Sequence, residues 1–361
     1  MTVAERRRHA DRLVERCYAG LDVAALQDEV LSGLRTVMSI DAAFFATVDP
    51  ATILFTSVVA EAPLDSATPL FLDNEYGHDD VNKFTALAAA PDPVRSLDQA
   101  TRGNRRTSSR YLDVMAPLQL GDELRAALIS GRRCWGVLCL HRMDAPGGFS
   151  AEEVAMVRRL APHLAEGLRR ALVARGLAPA RPATRGPGVI VLDKDMAITS
   201  INAEAERWMD DLYDPAWIDL GNGSLPAAVF AAAGAMTRLE HHDDNDDDAM
   251  PPPSVRLRST DGQWVTLHAS RLAGPAGAHT AVVLEAARPA DVASIYLDAL
   301  GVTPAQTRVA SLVLQGRSTQ QIVNELQISS HTVQEHLRAV FDKLGVASRR
   351  ELVATLLGHH R

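Results

Sequence analysis

Three cysteines in 361 residues, Cys17, Cys134 and Cys139, form an odd set without metal-ligand spacing, which excludes a disulfide framework and the zinc-finger patterns. Cys134 and Cys139 read as small buried hydrophobes in a strand-like run. No apolar run reaches the roughly 18 residues that a membrane-spanning helix needs, and Met1-Thr2-Val3-Ala4-Glu5-Arg6-Arg7-Arg8 lacks the apolar stretch of a signal peptide. A Gly-rich phosphate loop, a Gly-x-Ser-x-Gly elbow and a His-Glu-x-x-His pair are also missing, so nothing in the sequence marks an enzyme. The expectation is a cytoplasmic protein without membrane contact, catalytic residues, cofactor or resident metal.

What is present is the balance of a globular chain, 47% hydrophobic and 23% charged, long enough for two or three domains of roughly 100 to 200 residues. The net charge of −8 argues against nucleic acid as a partner, but the charge is uneven. Residues 300–361 carry Arg308, Arg317, Arg338, Lys343, Arg349, Arg350 and Arg361 against Glu325, Glu335, Asp342 and Glu351, a local basic excess of the kind that meets phosphates.

Punctuation divides the chain. The stretch from Ala178 to Pro187, rich in Pro and small residues, reads as a linker. Residues 1–178 combine helical patterns near 5–18, 23–37, 68–90 and 151–175 with strand-like runs near 42–48, 52–60, 123–129 and 134–142. Residues 188–288 show a strand-turn-strand, helices and three further strands. Both are α+β. The run His241-His242-Asp243-Asp244-Asn245-Asp246-Asp247-Asp248, beside Pro251-Pro252-Pro253, reads as a solvated loop rather than a metal site. Residues 289–299 read as a second linker, and 300–361 as an all-α unit. The fold class is therefore multidomain, two α+β domains followed by an all-α four-helix domain.

The tail is the most legible segment. Thr303-Pro304-Ala305-Gln306 and Ser318-Thr319-Gln320-Gln321 are capping boxes, Ser329 caps a third helix and Ser348 a fourth, while Gly316 and Gly345 end the first and third. In the third helix Val333, Leu337, Val340, Phe341 and Leu344 share a buried face, with His331, Gln334, Glu335 and Arg338 opposite. A short helix, a turn at Gln327-Ile328 and a longer helix with a polar outer face suit the major groove, about 12 Å wide.

The tail closely resembles the LuxR-type helix-turn-helix family. The resemblance rests on Leu314-Gln315-Gly316, the run Ser329-Ser330-His331-Thr332-Val333-Gln334-Glu335-His336-Leu337 and the ending Lys343-Leu344-Gly345-Val346. It implies double-stranded DNA as a partner, with Gln334, Glu335 and Arg338 at base edges and Ser330, Thr332 and Lys343 at phosphates; His331 joins them on the outer face. Gln334 stands where the family usually has Lys, so one cationic contact is lost. Residues 22–175 resemble a GAF domain of actinobacterial regulators, through Asn74-Glu75-Tyr76, Asp79-Asp80-Val81-Asn82-Lys83-Phe84, Leu120-Gly121-Asp122-Glu123-Leu124-Arg125 and Trp135–Arg142. Residues 187–288 resemble a PAS domain more weakly, through Gly188–Asp193 and Ile201–Ala205.

Both resemblances imply a pocket for a small molecule. Phe44, Phe45, Phe55, Phe71, Phe84 and Trp135 are candidate walls of the first pocket, and Trp208, Trp217, Phe230 and Trp264 of the second, suiting a hydrophobic effector. Each of these aromatics is equally a candidate core residue, and His78, His141 and His163 read as structural rather than haem-ligating. The amphipathic helices near 5–18 and 151–175 suggest a homodimer on a two-fold operator. The alternative is a regulator controlled by a protein partner, or independent of ligand, with weak or lost DNA binding.

Overall fold

The computed structural model describes residues 3–144, 147–174, 185–212, 217–219, 224–242, 253–274 and 277–357. Of the expected first linker, 178–184 lie outside these, as do 243–248 of the acidic run.

The chain opens with α1 (Val3–Cys17) and α2 (Val23–Arg35), the latter capped by Asp22, whose carboxylate accepts the Ala25 amide. Then come β1 (Ala42–Val48), β2 (Phe55–Ala60), α3 (Thr68–Gly77), α4 (Phe84–Ala89), β3 (Val94–Ser96) and α5 (Leu97–Thr101). The long hairpin β4 (Leu120–Ser130) and β5 (Arg133–Met143) leads to α6 (Ala151–Ala174). Gly131 and Arg132 both turn with positive φ, 60° and 76°, as a two-residue hairpin requires. The helical pattern expected over 68–90 is broken between α3 and α4. There Asn82 is left-handed (φ 57°), and Asp80 accepts hydrogen bonds from Ser108, Ser109 and the Arg110 amide.

The five strands form one antiparallel sheet in the order β2-β1-β5-β4-β3. It is buried on both faces, so Phe44 and Phe45, adjacent on β1, enter different cores. One face packs on α1, α2 and α6. Gly136 lets α6 approach closely, because a Cβ there would lie 2.5 Å from Leu168 Cδ1 and 2.8 Å from the Ala46 carbonyl oxygen.

The second unit contains β6 (Gly188–Leu192), β7 (Ile198–Ile201), α7 (Ala203–Asp211), the ribbon β8 (Trp217–Asp219) and β9 (Ser224–Pro226), α8 (Ala227–His242), β10 (Ser254–Arg258), β11 (Trp264–Gly274) and β12 (Gly277–Ala286). Its antiparallel sheet runs β10-β11-β12-β6-β7, which repeats the strand order of the first sheet read from the other edge. The two units are not separate bodies. Helix α8, with Ala227–Ala233 buried throughout, is wedged between the second sheet and the first unit's α3 and β2, so that both share one continuous core. The chain Ala227–Met236 carries no charge, as a helix buried on all sides requires.

Residues 289–299, expected as a linker, are instead α9 (Pro289–Ala299). Its Val292, Ile295, Tyr296 and Ala299 join the core beneath α6, while Ala293 and Leu297 join the core of the tail. One helix thus serves two cores, which a loop could not. The tail is α10 (Pro304–Leu314), α11 (Thr319–Leu326), α12 (Ser330–Leu344) and α13 (Arg349–Leu357). Both capping boxes form as the sequence specifies, and Gln327 and Gly345 close α11 and α12 in left-handed geometry. Among the described residues no helix is long and apolar enough to cross a membrane.

Candidate nucleic-acid interface and buried polar site

Helix α12 is held from within by Val333, Leu337 and Val340, all buried beneath α10 and α11. Ser330, His331, Gln334, Glu335 and Arg338 are exposed on the opposite side, and Thr332 is half-buried, its amide and hydroxyl turned to Ser329 Oγ at 3.1 and 3.0 Å. His331 Nε2 lies 3.4 Å from Glu335 Oε1, so the acidic group on this face has a weak local partner. Lys343 is the exception among the expected contacts. Nine residues beyond Gln334 it lies about half a turn away around the helix, and its ammonium donates to the Gly301 carbonyl at 2.6 Å and Gln306 Oε1 at 2.9 Å. Lys343 thus stands off the Gln334 face, with its ammonium bridging α12 to the start of α10.

The other face of the first sheet holds a charged network that composition did not announce. Cross-strand pairing sets Glu123 opposite His141 and Arg125 opposite Cys139, all four fully buried. Glu123 Oε2 accepts from Arg110 Nη2 at 2.7 Å, and Arg125 Nη1 donates to Glu75 Oε2 at 2.9 Å. Arg125 also lies over the rings of Phe84 and Phe71, 4.2 and 5.1 Å from their centroids. Burial alone would raise the Glu123 carboxyl, but the charges of Arg110 and Arg125 outweigh it and bring it down to about 2. Burial lowers His141 to about 4, only partly offset by Glu123, so its ring is neutral at pH 7, and burial pushes the Cys139 thiol far up.

Glu123, Cys139 and His141 offer ligand atoms within 4.8 Å of one another. Each acid of the network faces a guanidinium, however, and a divalent ion would add charge to a fully buried set that already pairs its charges. The cluster fits a polar anchor better than a metal centre. Its members lie in the very segments that carry the GAF resemblance. A signal was available there: Asp122, Glu123 and Arg125 interrupt a strand that is otherwise largely apolar.

Two families match the sequence. The one described as Bacterial regulatory proteins, luxR family, covers residues 302–356, and the GAF domain covers residues 22–168. The chain carries a GAF domain and a luxR-family regulatory domain. Curated relatives match over a short stretch of the chain. The HTH-type transcriptional regulator MalT of Yersinia pestis (strain Pestoides F) is 40% identical over 52 residues, 14% of this chain and 6% of that protein. The MalT of Yersinia pseudotuberculosis serotype O:1b (strain IP 31758) matches to the same extent. The chain thus spans a small fraction of the length of these curated relatives. Among solved structures, the GAF domain from Acinetobacter phosphoenolpyruvate-protein phosphotransferase is 13% identical, covering 48% of this chain and 96% of that one at a TM-score of 0.33. The Vibrio cholera VqmA-ligand-DNA complex is 18% identical, covering 50% and 84% at a TM-score of 0.21.

Within the GAF domain the expected aromatic walls are regrouped. Phe44, Phe55, Phe71 and Phe84 meet, with centroids of Phe44 4.6 Å from Phe71 and 5.4 Å from Phe55, and Phe55 6.0 Å from Phe84. They are at most 2% exposed and pack on one another as core, under the polar network. Trp135 is not with them; it lies on the sheet's other face with Phe45. Trp208 is core in the second unit, its indole donating to the Gly186 carbonyl at 3.1 Å, and Phe230 is buried on α8. The side chain of Trp217 lies outside the described residues. Trp135 and Trp264, assigned from sequence to different pockets, instead line a single crevice between the GAF domain, β10 and α9.

Proposed function

We propose that this chain is a bacterial transcription regulator that reads double-stranded DNA with α12 and adjusts that reading to a small molecule received by its α+β part. The observation that carries the reading is the outer face of α12, exposed and polar on a helix whose inner face is locked in a luxR-family domain. Arg338 suits guanine, Gln334 adenine and Glu335 the amino group of cytosine, while Ser330, His331 and Thr332 suit phosphates. The GAF domain supports the sensing half. So does α9, which shares residues with the sensor core and the tail core and leaves no slack between them.

The second α+β unit, whose sheet repeats the GAF sheet's strand order, is read as PAS-like. A homodimer is part of the proposal, because two copies of a modestly basic reader on a two-fold site double its contacts. Helices α1 and α6 spend their apolar faces on each other and on α2 within the chain, so they are poor candidates for the dimer seam. Regulation rather than catalysis, in the cytoplasm where bacterial DNA lies, completes the reading. Selection from a random duplex pool by the full chain tests it: a two-fold motif is expected to be enriched. Recovery of no motif would favour a regulator governed by a protein partner.

A further inference from the structure

The crevice between the tryptophans is built from three parts of the chain. The GAF domain supplies Trp135, Leu168 and the hydroxyl-bearing residues Thr47, Thr56 and Ser57; the second unit supplies Trp264, and α9 supplies Ile295. The two indoles that line it are themselves buried, Trp135 at 4% and Trp264 at 8% exposure. The mouth lies among half-buried Val23, Leu172 and Arg256. The cavity is about 100 Å³. That is nearer the ~150 Å³ of an apolar cavity that takes up benzene than the roughly 300 Å³ and more of sites for larger ligands.

We infer that this crevice is a binding site for a single-ring aromatic molecule carrying a hydroxyl, a phenol, and that its occupancy sets how α9 is held. The size admits one ring. The indoles of Trp135 and Trp264 provide aromatic walls that favour another ring. The hydroxyls of Thr47 and Thr56, 2.7 Å apart, and of Ser57 give one polar wall, and each can still exchange a hydrogen bond with a ligand hydroxyl. An anion is disfavoured, because Arg256 at the mouth already grips the Asp49 carboxylate at 2.7 and 2.8 Å.

The consequence for the tail follows from what surrounds the crevice. Arg256 donates to the Asp291 carbonyl and to Ser294 Oγ, both at 2.8 Å. Arg258, whose guanidinium lies 5.3 Å from the Trp264 ring centroid, donates to the Tyr296 hydroxyl at 3.2 Å. Both contacts hold α9, so a molecule that shifts the crevice walls shifts the helix that carries Leu297 into the tail core. This second half rests on the regulatory reading proposed above.

The full chain labelled with 5-fluorotryptophan tests both halves, its four tryptophans assigned by single Trp→Phe variants. Phenol is the probe. Saturable movement of the Trp135 and Trp264 fluorine resonances, with that of Trp208 unmoved, is expected. Leu172→Phe, which narrows the mouth on a half-buried helix position, is expected to weaken phenol binding by about tenfold or more without altering the melting temperature. Absence of movement, or equal movement of every resonance, overturns the site. DNA affinity with and without phenol is expected to differ by about fivefold or more. Unchanged DNA affinity beside saturable phenol binding overturns the coupling and leaves DNA reading intact, whereas phenol binding without any DNA affinity sinks the regulatory reading and leaves the site.

Discussion

Asp49, at the end of the GAF domain's first strand, accepts two side-chain hydrogen bonds from Arg256 of the second α+β unit, and a third from the Arg256 amide at 2.9 Å. The carboxylate is fully buried and the guanidinium 11% exposed. The free edge of that guanidinium goes to α9. One ion pair therefore ties the GAF domain, the second unit and the helix leading to the tail.

Asp49→Asn leaves a nearly buried guanidinium without its charge partner, a change that costs about 3 kcal/mol. The loss is expected to be local. Hydrogen exchange should quicken across 289–299 while the amides of β4 and β5 stay protected. Uniform quickening throughout would show that the pair supports the whole fold instead of the joint.

Acid sensitivity should trace to His141. Its folded value, about 4, lies below the ordinary 6.5, so between these pH values the unfolded chain holds a proton that the folded one refuses. Stability therefore falls as pH falls through this window, by about 3 kcal/mol. Glu123, lowered to about 2, adds stability that is complete above pH 4.5 and is lost below it. Urea unfolding of His141→Phe should show the first loss removed and the second retained. An unchanged slope between pH 6.5 and 4 would show that His141 is not the group responsible.

Lys343 and Arg338, both cationic and five residues apart on α12, should behave oppositely. Lys343→Met removes the brace to Gly301 and Gln306, so the tail should lose about 1 to 2 kcal/mol while the salt dependence of DNA binding stays as it is. Arg338→Ala should leave stability alone and relax preference at one base position, by about 1 to 3 kcal/mol. A salt slope reduced by Lys343→Met would return that residue to the phosphates.

Much of this was legible in the sequence where structure is local. Caps at Thr303, Ser318 and Ser329, the glycines closing α10 and α12, and the apolar spacing from Val333 to Val340 fix the tail through contacts within a few residues. The α+β class of both units followed from strand and helix periods. Less was legible where a side chain's meaning depends on distant chain. Trp135 and Trp264 share a crevice only because β10 docks beside the first sheet. Lys343 turns toward the start of α10 because Gly301 lies within its reach. Residues 289–299 read as a linker because α9's apolar positions serve two partners and so show no single clean stripe. Phe44 and its neighbours were readable as apolar, but a core and a pocket have the same composition.

The central claim is that this chain grips DNA through a short basic tail despite its net charge of −8. Titrating the full chain onto its selected duplex by fluorescence anisotropy, from low to physiological salt, tests it directly. The account predicts that log affinity falls linearly with log salt, by about 0.9 per phosphate neutralised, and that Arg338→Ala narrows the gap between selected and unrelated duplex. A flat salt response, or equal binding of selected and unrelated duplex by the unaltered chain, would contradict it.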